Sequence, residues 1–531
     1  MLRSSRLGFR GVVLVSTFVL AGLLVSCLGG GDPRPNILVV MWDTVRADRL
    51  GLYGFDKPTT PFLDEWAANA RVYEDCVSPA NYTIASHASL FTGLYPTEHG
   101  AWNGGRRLPA GPVTLAEALR EAGYQTFLYS ANPNVSQVTG LARGFDEVEH
   151  PWSPALRAEA FAIVRGKIMS KDRSSMLPDK VRTGNVGPWE IKASGELAGR
   201  TLRRWLGRID RERPFFAFLN YMEAHRPYIP PEKYRKRVLS DEEVARSYRI
   251  DRSWPVLWSY TYGLKDYSEE ELDVMAGKYE AAIAELDDLL RKLIGNLEAG
   301  GYLENTVVVV TSDHGEHLGE KHMLDHQYSL YEPLLRVPLV VHDPKRFPPG
   351  RESRPVMTQD LYRTLLEIAG VGVPPLQASR GAGLLAPIEQ RERLSECLGV
   401  FTSPYDAMRA RYPDWDPGPW NREIRAFYSG CRKLIRWSDG EKKLYRIDED
   451  PFEVNEVPLG EEGARLEQAL DSYVAGLEAA GPSAGEGPPL TEEERGMLEA
   501  LGYLHGEDSS EWGGGGADSA AAAGGRALGV K

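Results

Sequence analysis

The chain has 531 residues, 42% hydrophobic and 26% charged, a composition able to bury a sizeable core and unlike that of a disordered or collagenous protein. The length suits one large domain and one smaller one. Its 62 Lys and Arg against 75 Asp and Glu leave a formal charge of -13, which argues against binding of nucleic-acid polymers through a basic surface, and its 4 Cys are too few for a disulfide scaffold.

Arg3, Arg6 and Arg10 precede an apolar stretch at 11–26, shorter than the roughly 20 residues a spanning helix needs, so the segment reads as a secretory signal. LVSC at 24–27, followed by LGGG, resembles the lipobox of bacterial lipoproteins, with Cys27 as the lipidated residue. This resemblance implies a lipid-anchored protein of the bacterial cell envelope, periplasmic or otherwise extracytoplasmic, with a membrane as partner. Cys76, Cys397 and Cys431 then remain, enough for at most one internal disulfide.

Residues 36–43 (NILVVMWD) form an apolar run ending in an acid, the pattern of a strand buried on both faces whose C-terminal end opens into a site. Similar runs lie at 124–129, 214–220, 306–312 and 337–341. Between them are helical stretches: Thr114 and Glu117 make a capping box, and Leu272, Met275, Tyr279, Ile283, Leu286, Leu290 and Leu293 form one apolar stripe. The alternation predicts an α/β fold with a mixed, mostly parallel sheet between helices. After about residue 374 the runs at 423–428, 433–437 and 442–447 predict a small C-terminal antiparallel β domain. The expected division is a signal at 1–27, a catalytic domain at 34–373, a small α+β unit at 374–505 and a disordered Gly/Ala-rich tail at 506–531.

Asp43 and the string Asp313-His314-Gly315-Glu316 each follow an apolar strand, so a parallel sheet brings two carboxylates and an imidazole to one edge. Between them in sequence, 81–93 (NYTIASHASLFTG) leads through a turn into a helix, whose free N–H groups attract phosphate or sulfate oxygens.

Residues 36–48, 86–100 (SHASLFTGLYPTEHG), 312–316 (SDHGE) and 330–339, with 444–451, resemble the sulfatase family of the alkaline phosphatase superfamily over about residues 34–460. The resemblance implies that superfamily's fold and hydrolysis of an oxyanion ester. Family sulfatases carry C-x-P-S-R or C-x-A-S-R ten residues before the Gly of Thr-Gly, the Cys becoming formylglycine. Here that register, counted back from Gly93, reaches Thr83 in TIASH, and Thr cannot become formylglycine. Cys76 is seven residues too early and lacks the motif. Thr83 with His87, followed by TGLYPTEHG, is similar instead to the nucleotide pyrophosphatase and phosphodiesterase branch, in which Thr is the metal-activated nucleophile. A Thr ester of phosphorus is released by water attacking phosphorus, whereas the formylglycine hydrate expels sulfate through its second hydroxyl. The expected substrate is therefore a phosphate diester or phosphonate ester.

By the same resemblance Asp43, Thr83, Asp313 and His314 hold one divalent metal. Their oxygen-rich set with one nitrogen suits Zn²⁺ or Mn²⁺ better than Ca²⁺, and Thr44 replaces an Asp that many sulfatases carry. Two-metal relatives use a further Asp-x-x-x-His and a later His; this chain offers only 223–228 (EAHRPY) and His326, so a second metal stays open. His87 is expected at the phosphoryl group, His326 as substrate contact or leaving-group acid, and His225 and Asn103 as substrate contacts. Arg46 either pairs with the oxyanion or braces the metal carboxylates. His99 packs or bonds backbone nearby. The usual Gly-Lys-x-His stretch is replaced by Ser130-Ala131-Asn132-Pro133-Asn134. The expected substrate is a small-molecule, glycan or lipid ester. A sulfatase working without formylglycine, and a non-catalytic binding module on the same fold, remain as alternatives.

Overall fold

The computed structural model describes residues 34–479 except 103–106, 170–190, 251–253, 344, 376, 378–381, 387–390, 400–401 and 403. The signal segment with Cys27, the residue Asn103 and the 506–531 tail lie outside the described residues. The first strands in chain order are β1 (Asn36–Trp42), β2 (Arg71–Tyr73), β3 (Cys76–Val77), β4 (Gln125–Ser130), β5 (Glu147–Glu149), β6 (Phe215–Tyr221), β7 (Thr306–Thr311) and β8 (His317–Leu318). They are followed by β9 (Leu324–Asp325), β10 (Leu339–His342), β11 (Gly350–Glu352), β12 (Val356–Met357), β13 (Arg393–Cys397), β14 (Ile424–Ser429), β15 (Arg432–Trp437) and β16 (Lys442–Arg446).

The main sheet has the order β11-β2-β10-β7-β1-β6-β4-β5. β1 runs parallel to both neighbours, β6 and β7, while β10 is antiparallel to β7 and β2 and is the one reversed strand. The apolar runs form strands because helices cover both faces. Leu38, Val40 and Trp42 point into one core with Ile283, Leu286 and Leu290 of the helix Glu269–Ala299. Ile37, Val39 and Met41 point into the other, with Leu90 and Phe91 of the helix Thr83–Thr92 and Leu361 and Leu365 of the helix Asp360–Ile368. Alternate residues of one strand thus feed two cores, which is why the sequence reads as a continuous apolar run.

The helix over the predicted apolar stripe spans 31 residues and begins at Ser268, whose hydroxyl accepts the Glu271 N–H in a capping box. The Thr114 capping box also forms, at the helix Leu115–Glu121. The helix Thr83–Thr92 ends at Gly93, with φ 71°, and a Cβ there would lie 2.8 Å from the Tyr362 ring. Both the left-handed backbone and the close approach require glycine.

β13-β14-β15-β16 form a separate antiparallel sheet. β13 is an addition to the three predicted strands. One face of this sheet, with Phe427, Leu434 and Leu444, receives Leu466, Leu470 and Val474 of the helix Gly460–Glu478. The other face, with Ile424, Tyr428 and Ile435, packs on Val77, Leu330, Tyr331 and Leu335 of the larger unit.

Candidate active site

Five elements of the main unit converge at the C-terminal edge of the central strands. β1 delivers Asp43, β7 delivers Asp313 and His314, β6 ends in Asn220 and Tyr221, the loop after β4 carries Asn132, and Thr83 opens the helix Thr83–Thr92. A parallel sheet creates this edge because its strand ends share one side, where the chain leaves for helices on opposite faces.

Each carboxylate is half satisfied. Asp43 Oδ2 accepts from Asn132 Nδ2 at 2.8 Å and Asn220 Nδ2 at 3.1 Å, and Asp313 Oδ1 accepts from the backbone N–H of Thr44 at 3.1 Å and of His314 at 2.9 Å. Asp43 Oδ1 and Asp313 Oδ2 are buried with no hydrogen-bond partner. Burial, reinforced by Asp313, pushes the Asp43 carboxyl up to about 7, and burial pushes Asp313 up to about 6. Two orphaned carboxylate oxygens facing one another call for a cation. His314 completes the set: its Nδ1–H donates to Gly315 O at 2.9 Å, leaving the Nε2 lone pair 3.3 Å from Asp313 Oδ2 and 3.5 Å from Thr83 Oγ1. Asp43, Asp313 and His314 thus have one ligand atom each within 4.8 Å of the others, a donor set that fits a divalent metal.

The turn that aims Asp43 is strained. Thr44 has φ 62°, a left-handed conformation unfavourable for a β-branched residue. Three bonds hold it: Thr44 N–H to Asp313, the Thr44 hydroxyl to Asp43 O at 2.7 Å, and the Tyr279 hydroxyl to Thr44 O at 2.7 Å. Gly315 is required for a different reason, since a Cβ there would meet Pro333 O at 2.0 Å.

Beyond His314 a row of imidazoles continues, with ring centroids 4.6 Å from His314 to His326 and 5.3 Å from His326 to His225. Burial alone would lower His326, but the Asp325 carboxylate, 2.7 Å from Nδ1, lifts it to about 10. His225 donates from Nδ1 to Arg226 O at 2.7 Å, and Arg226 is ion-paired with Asp325.

Two predicted site residues have other engagements. The fully buried Arg46 binds Asp48 through Nε at 2.8 Å and Nη2 at 2.7 Å, and Glu320 and the Glu316 carbonyl through Nη1 at 2.7 and 3.0 Å. Its guanidinium is consumed inside the protein by Asp48, Glu320 and a carbonyl, which corrects the expectation of a substrate contact; it binds neither Asp43 nor Asp313, so it does not brace those carboxylates either. His87 donates from Nδ1 to Thr83 O at 2.9 Å, packs edge-on against Phe91 and Phe218, and is pushed by burial down to about 3. It is a neutral ring supporting the first turn of the helix. His99 shares a 3.0 Å hydrogen bond with Ser89 and accepts the Ala101 N–H.

The sequence reading missed Asn132 and Asn220 as partners of Asp43, and Glu316 and Asp325 as neighbours of His326. Asn220 ends an apolar strand as Asp43 does, and that shared position was the available signal. Asn132 also donates toward Thr83 Oγ1 at 3.3 Å. Cys76 lies in β3, paired with β12, buried away from these groups.

Solved structures with this fold include the phosphonate monoester hydrolases of Silicibacter pomeroyi (TM-score 0.63, 21% identity, 84% of this chain and 96% of that one) and Agrobacterium radiobacter (TM-score 0.61, 20% identity, 84% and 96%). In sequence the chain is similar to an N-acetylglucosamine-6-O-sulfatase of Bacteroides thetaiotaomicron, at 22% identity over 82% of this chain and 85% of that protein. It is also similar to arylsulfatase K of Xenopus laevis, at 24% identity over 84% of each. The family model described as Sulfatase matches residues 35–371, most of the described chain and all the strand ends that carry Asp43, Asp313 and His314, so the protein is a hydrolase belonging to the sulfatase family.

Proposed function

We propose that the protein is a metal-dependent hydrolase of phosphate diesters or phosphonate esters, with Thr83 as nucleophile. The observation that carries this reading is the position of Thr83 Oγ1, at a helix N-terminus, 3.5 Å from His314 Nε2 and 3.3 Å from Asn132 Nδ2, in a residue whose sequence register is that of the modified residue in formylglycine sulfatases. Asp43, Asp313, His314 and the Thr83 oxygen would hold the metal, Zn²⁺ or Mn²⁺ by their mixed oxygen and nitrogen donors. Bound there, a divalent cation supplies Lewis acidity, favouring the ionised Thr83 hydroxyl and neutralising the ester's negative oxygens.

Thr83 loses its proton to solvent and Oγ1 attacks phosphorus, forming a P–Oγ bond while the P–O bond to the leaving group breaks and the departing alkoxide takes up a proton from solvent to leave as the alcohol. Water then attacks phosphorus, breaks the P–Oγ bond and restores the Thr83 hydroxyl. Free N–H groups of the first helical turn receive the phosphoryl oxygens. His87, through its bond to Thr83 O, fixes the backbone from which the nucleophile projects. His326 and His225 are assigned to the leaving-group side, with His326 contributing positive charge. The test compares bis-p-nitrophenyl phosphate with p-nitrophenyl sulfate: diester turnover should dominate, fall by at least about 10³-fold in Thr83→Ala and persist in part in Thr83→Ser. Undiminished turnover in Thr83→Ala would remove the nucleophile assignment.

A sulfate ester is the second reading, favoured by relatives named as an N-acetylglucosamine-6-O-sulfatase and an arylsulfatase. It wins if sulfate turnover dominates in the same assay. We also infer lipid anchoring through Cys27 to a bacterial envelope membrane, supported by the signal-like sequence alone. Among the described residues no helix is long and apolar enough to cross a membrane. Incorporation of a labelled lipid precursor into the wild type, lost in Cys27→Ala, tests that anchor.

A further inference from the structure

Next to the first set of metal donors lies a second one, of which the proposed mechanism uses only His326. Glu316, Asp325 and His326 each present a ligand atom within 4.8 Å of the others, and all three residues are buried. They are brought together by the turn after β7 and by the β8–β9 hairpin, whose second strand ends at Asp325 with φ 77°.

The satisfaction of these groups is uneven in a telling way. Both oxygens of Glu316 are buried without a hydrogen-bond partner, although the residue is 0% exposed. Asp325 is fixed from behind: Oδ2 is bound by Arg226, and Oδ1, which accepts the His326 backbone N–H at 2.8 Å, is the atom nearest the ring. His326 Nδ1 stands 2.7 Å from Asp325 Oδ1 and 3.7 Å from Glu316 Oε1, yet neither ring nitrogen has a partner in hydrogen-bonding geometry. His326 itself is tethered through its carbonyl, which accepts from Asn81 Nδ2 at 3.0 Å. Oxygen and nitrogen atoms brought this close outside hydrogen-bonding geometry, backed by partners that orient them, are arranged as metal ligands are.

We propose that Glu316, Asp325 and His326 form a second divalent-cation site beside the first. Its donors are not those expected from two-metal relatives: no Asp-x-x-x-His supplies it, and two of its three ligands, Glu316 and Asp325, lie outside that pattern. Two carboxylates and one imidazole suit Zn²⁺ or Mn²⁺. Arg226 takes one oxygen of Asp325 and leaves the other for the cation, as outer partners of metal carboxylates do. Because the His314 and His326 rings are 4.6 Å apart, the two sites are neighbours, a placement in which paired cations clamp the attacking and leaving oxygens of an in-line displacement. That use rests on the proposed phosphoryl reading; the metal count does not.

The test is the metal content of the purified full chain, loaded with Zn²⁺ or with Mn²⁺, dialysed, and read by native mass spectrometry and elemental analysis. The expected result is a second equivalent per chain that disappears in Glu316→Gln and in His326→Gln and survives in Thr83→Ser, with circular dichroism and melting curves showing each variant folded. Anomalous scattering from crystals of the loaded protein should show a peak in contact with Glu316, Asp325 and His326. A single equivalent in the wild type, or a second one retained by both folded variants, would overturn the site and leave Glu316, His326, Asp325 and Arg226 as a closed ion network. Loss of activity in Thr83→Ala with only one equivalent bound would sink this inference while leaving the nucleophile intact.

Discussion

The Asn132 amide donates to Asp43 Oδ2 at 2.8 Å, and the same nitrogen stands 3.3 Å from Thr83 Oγ1. One side chain from the loop after β4 thus aligns a metal carboxylate from β1 and the hydroxyl assigned as nucleophile. Asn132→Ala leaves Asp43 Oδ2 with Asn220 alone. Metal affinity or turnover should fall by about 10- to 100-fold, the usual cost of losing an outer partner of a ligand. Isothermal titration with Zn²⁺ and steady-state kinetics measure it; unchanged values for both would show that Asn220 suffices.

Metal binding should depend steeply on pH. Burial, with Asp313 as second cause, holds Asp43 at about 7, and burial holds Asp313 at about 6, both above the ordinary carboxylate range. Groups raised in the fold keep protons that the unfolded chain releases, so metal-free stability declines as pH rises from the ordinary carboxylate range through 6 and 7. A metal takes the deprotonated forms, so its affinity should climb across the same window and level off above it. Chelator-treated protein followed by calorimetry and thermal melting between about pH 5 and 8 checks both trends, and a flat affinity would contradict the raised carboxyls.

Arg46 separates a brace from a substrate contact. Its guanidinium spans Asp48, Glu320 and the Glu316 carbonyl while fully buried, so Arg46→Ala strands carboxylates and should cost about 3–5 kcal/mol. Chemical denaturation should register that loss. A fully stable Arg46→Ala protein with only a raised KM would restore the substrate role.

Lys433 joins the small sheet to the larger unit. Its ammonium lies 2.8 Å from Glu332 and 2.8 Å from Glu453, with all three side chains buried. Lys433→Ala leaves two unpaired buried acids and should destabilise by about 3–5 kcal/mol, with partial recovery when Glu332→Gln and Glu453→Gln are added. Additive losses in the triple variant would contradict the network.

The legibility of the chain followed the strength of local patterns. Runs such as TVVVVT, short and β-branched throughout, read as buried strands, and the 269–299 helix announced itself through its apolar stripe. Strand direction was not legible: nothing in LVVH marks β10 as the reversed strand, because pairing is decided by the neighbours β7 and β2. β13, RLSEC, was missed since it mixes charge and apolarity and is buried through its pairing with β14, the Arg393–Asp75 ion pair and the bonds of Ser395 and Glu396 to Ser78 and Thr97. In the site, Asp43, Asp313 and His314 were legible as two carboxylates and an imidazole at strand ends. Asn132, Asn220, Glu316 and Asp325 were not, because their meaning lies in which atoms of other elements they face. Arg46 misled for the same reason: its charge suggested an anion, and the acids that neutralise it are its own neighbours in the fold.

The two-sided packing of the C-terminal sheet bears on how this protein can be cut. Ile424, Tyr428 and Ile435 cover Val77, Leu330, Tyr331 and Leu335, and Ser395 and Glu396 bond Ser78 and Thr97 on either side of the helix that begins at Thr83. Ending the chain near residue 373 would uncover the apolar surface of Val77, Leu330, Tyr331 and Leu335, which begins a few residues before the helix Thr83–Thr92. A minimal catalytic fragment made that way should aggregate, and the shortest soluble enzyme has to keep the sheet as its floor.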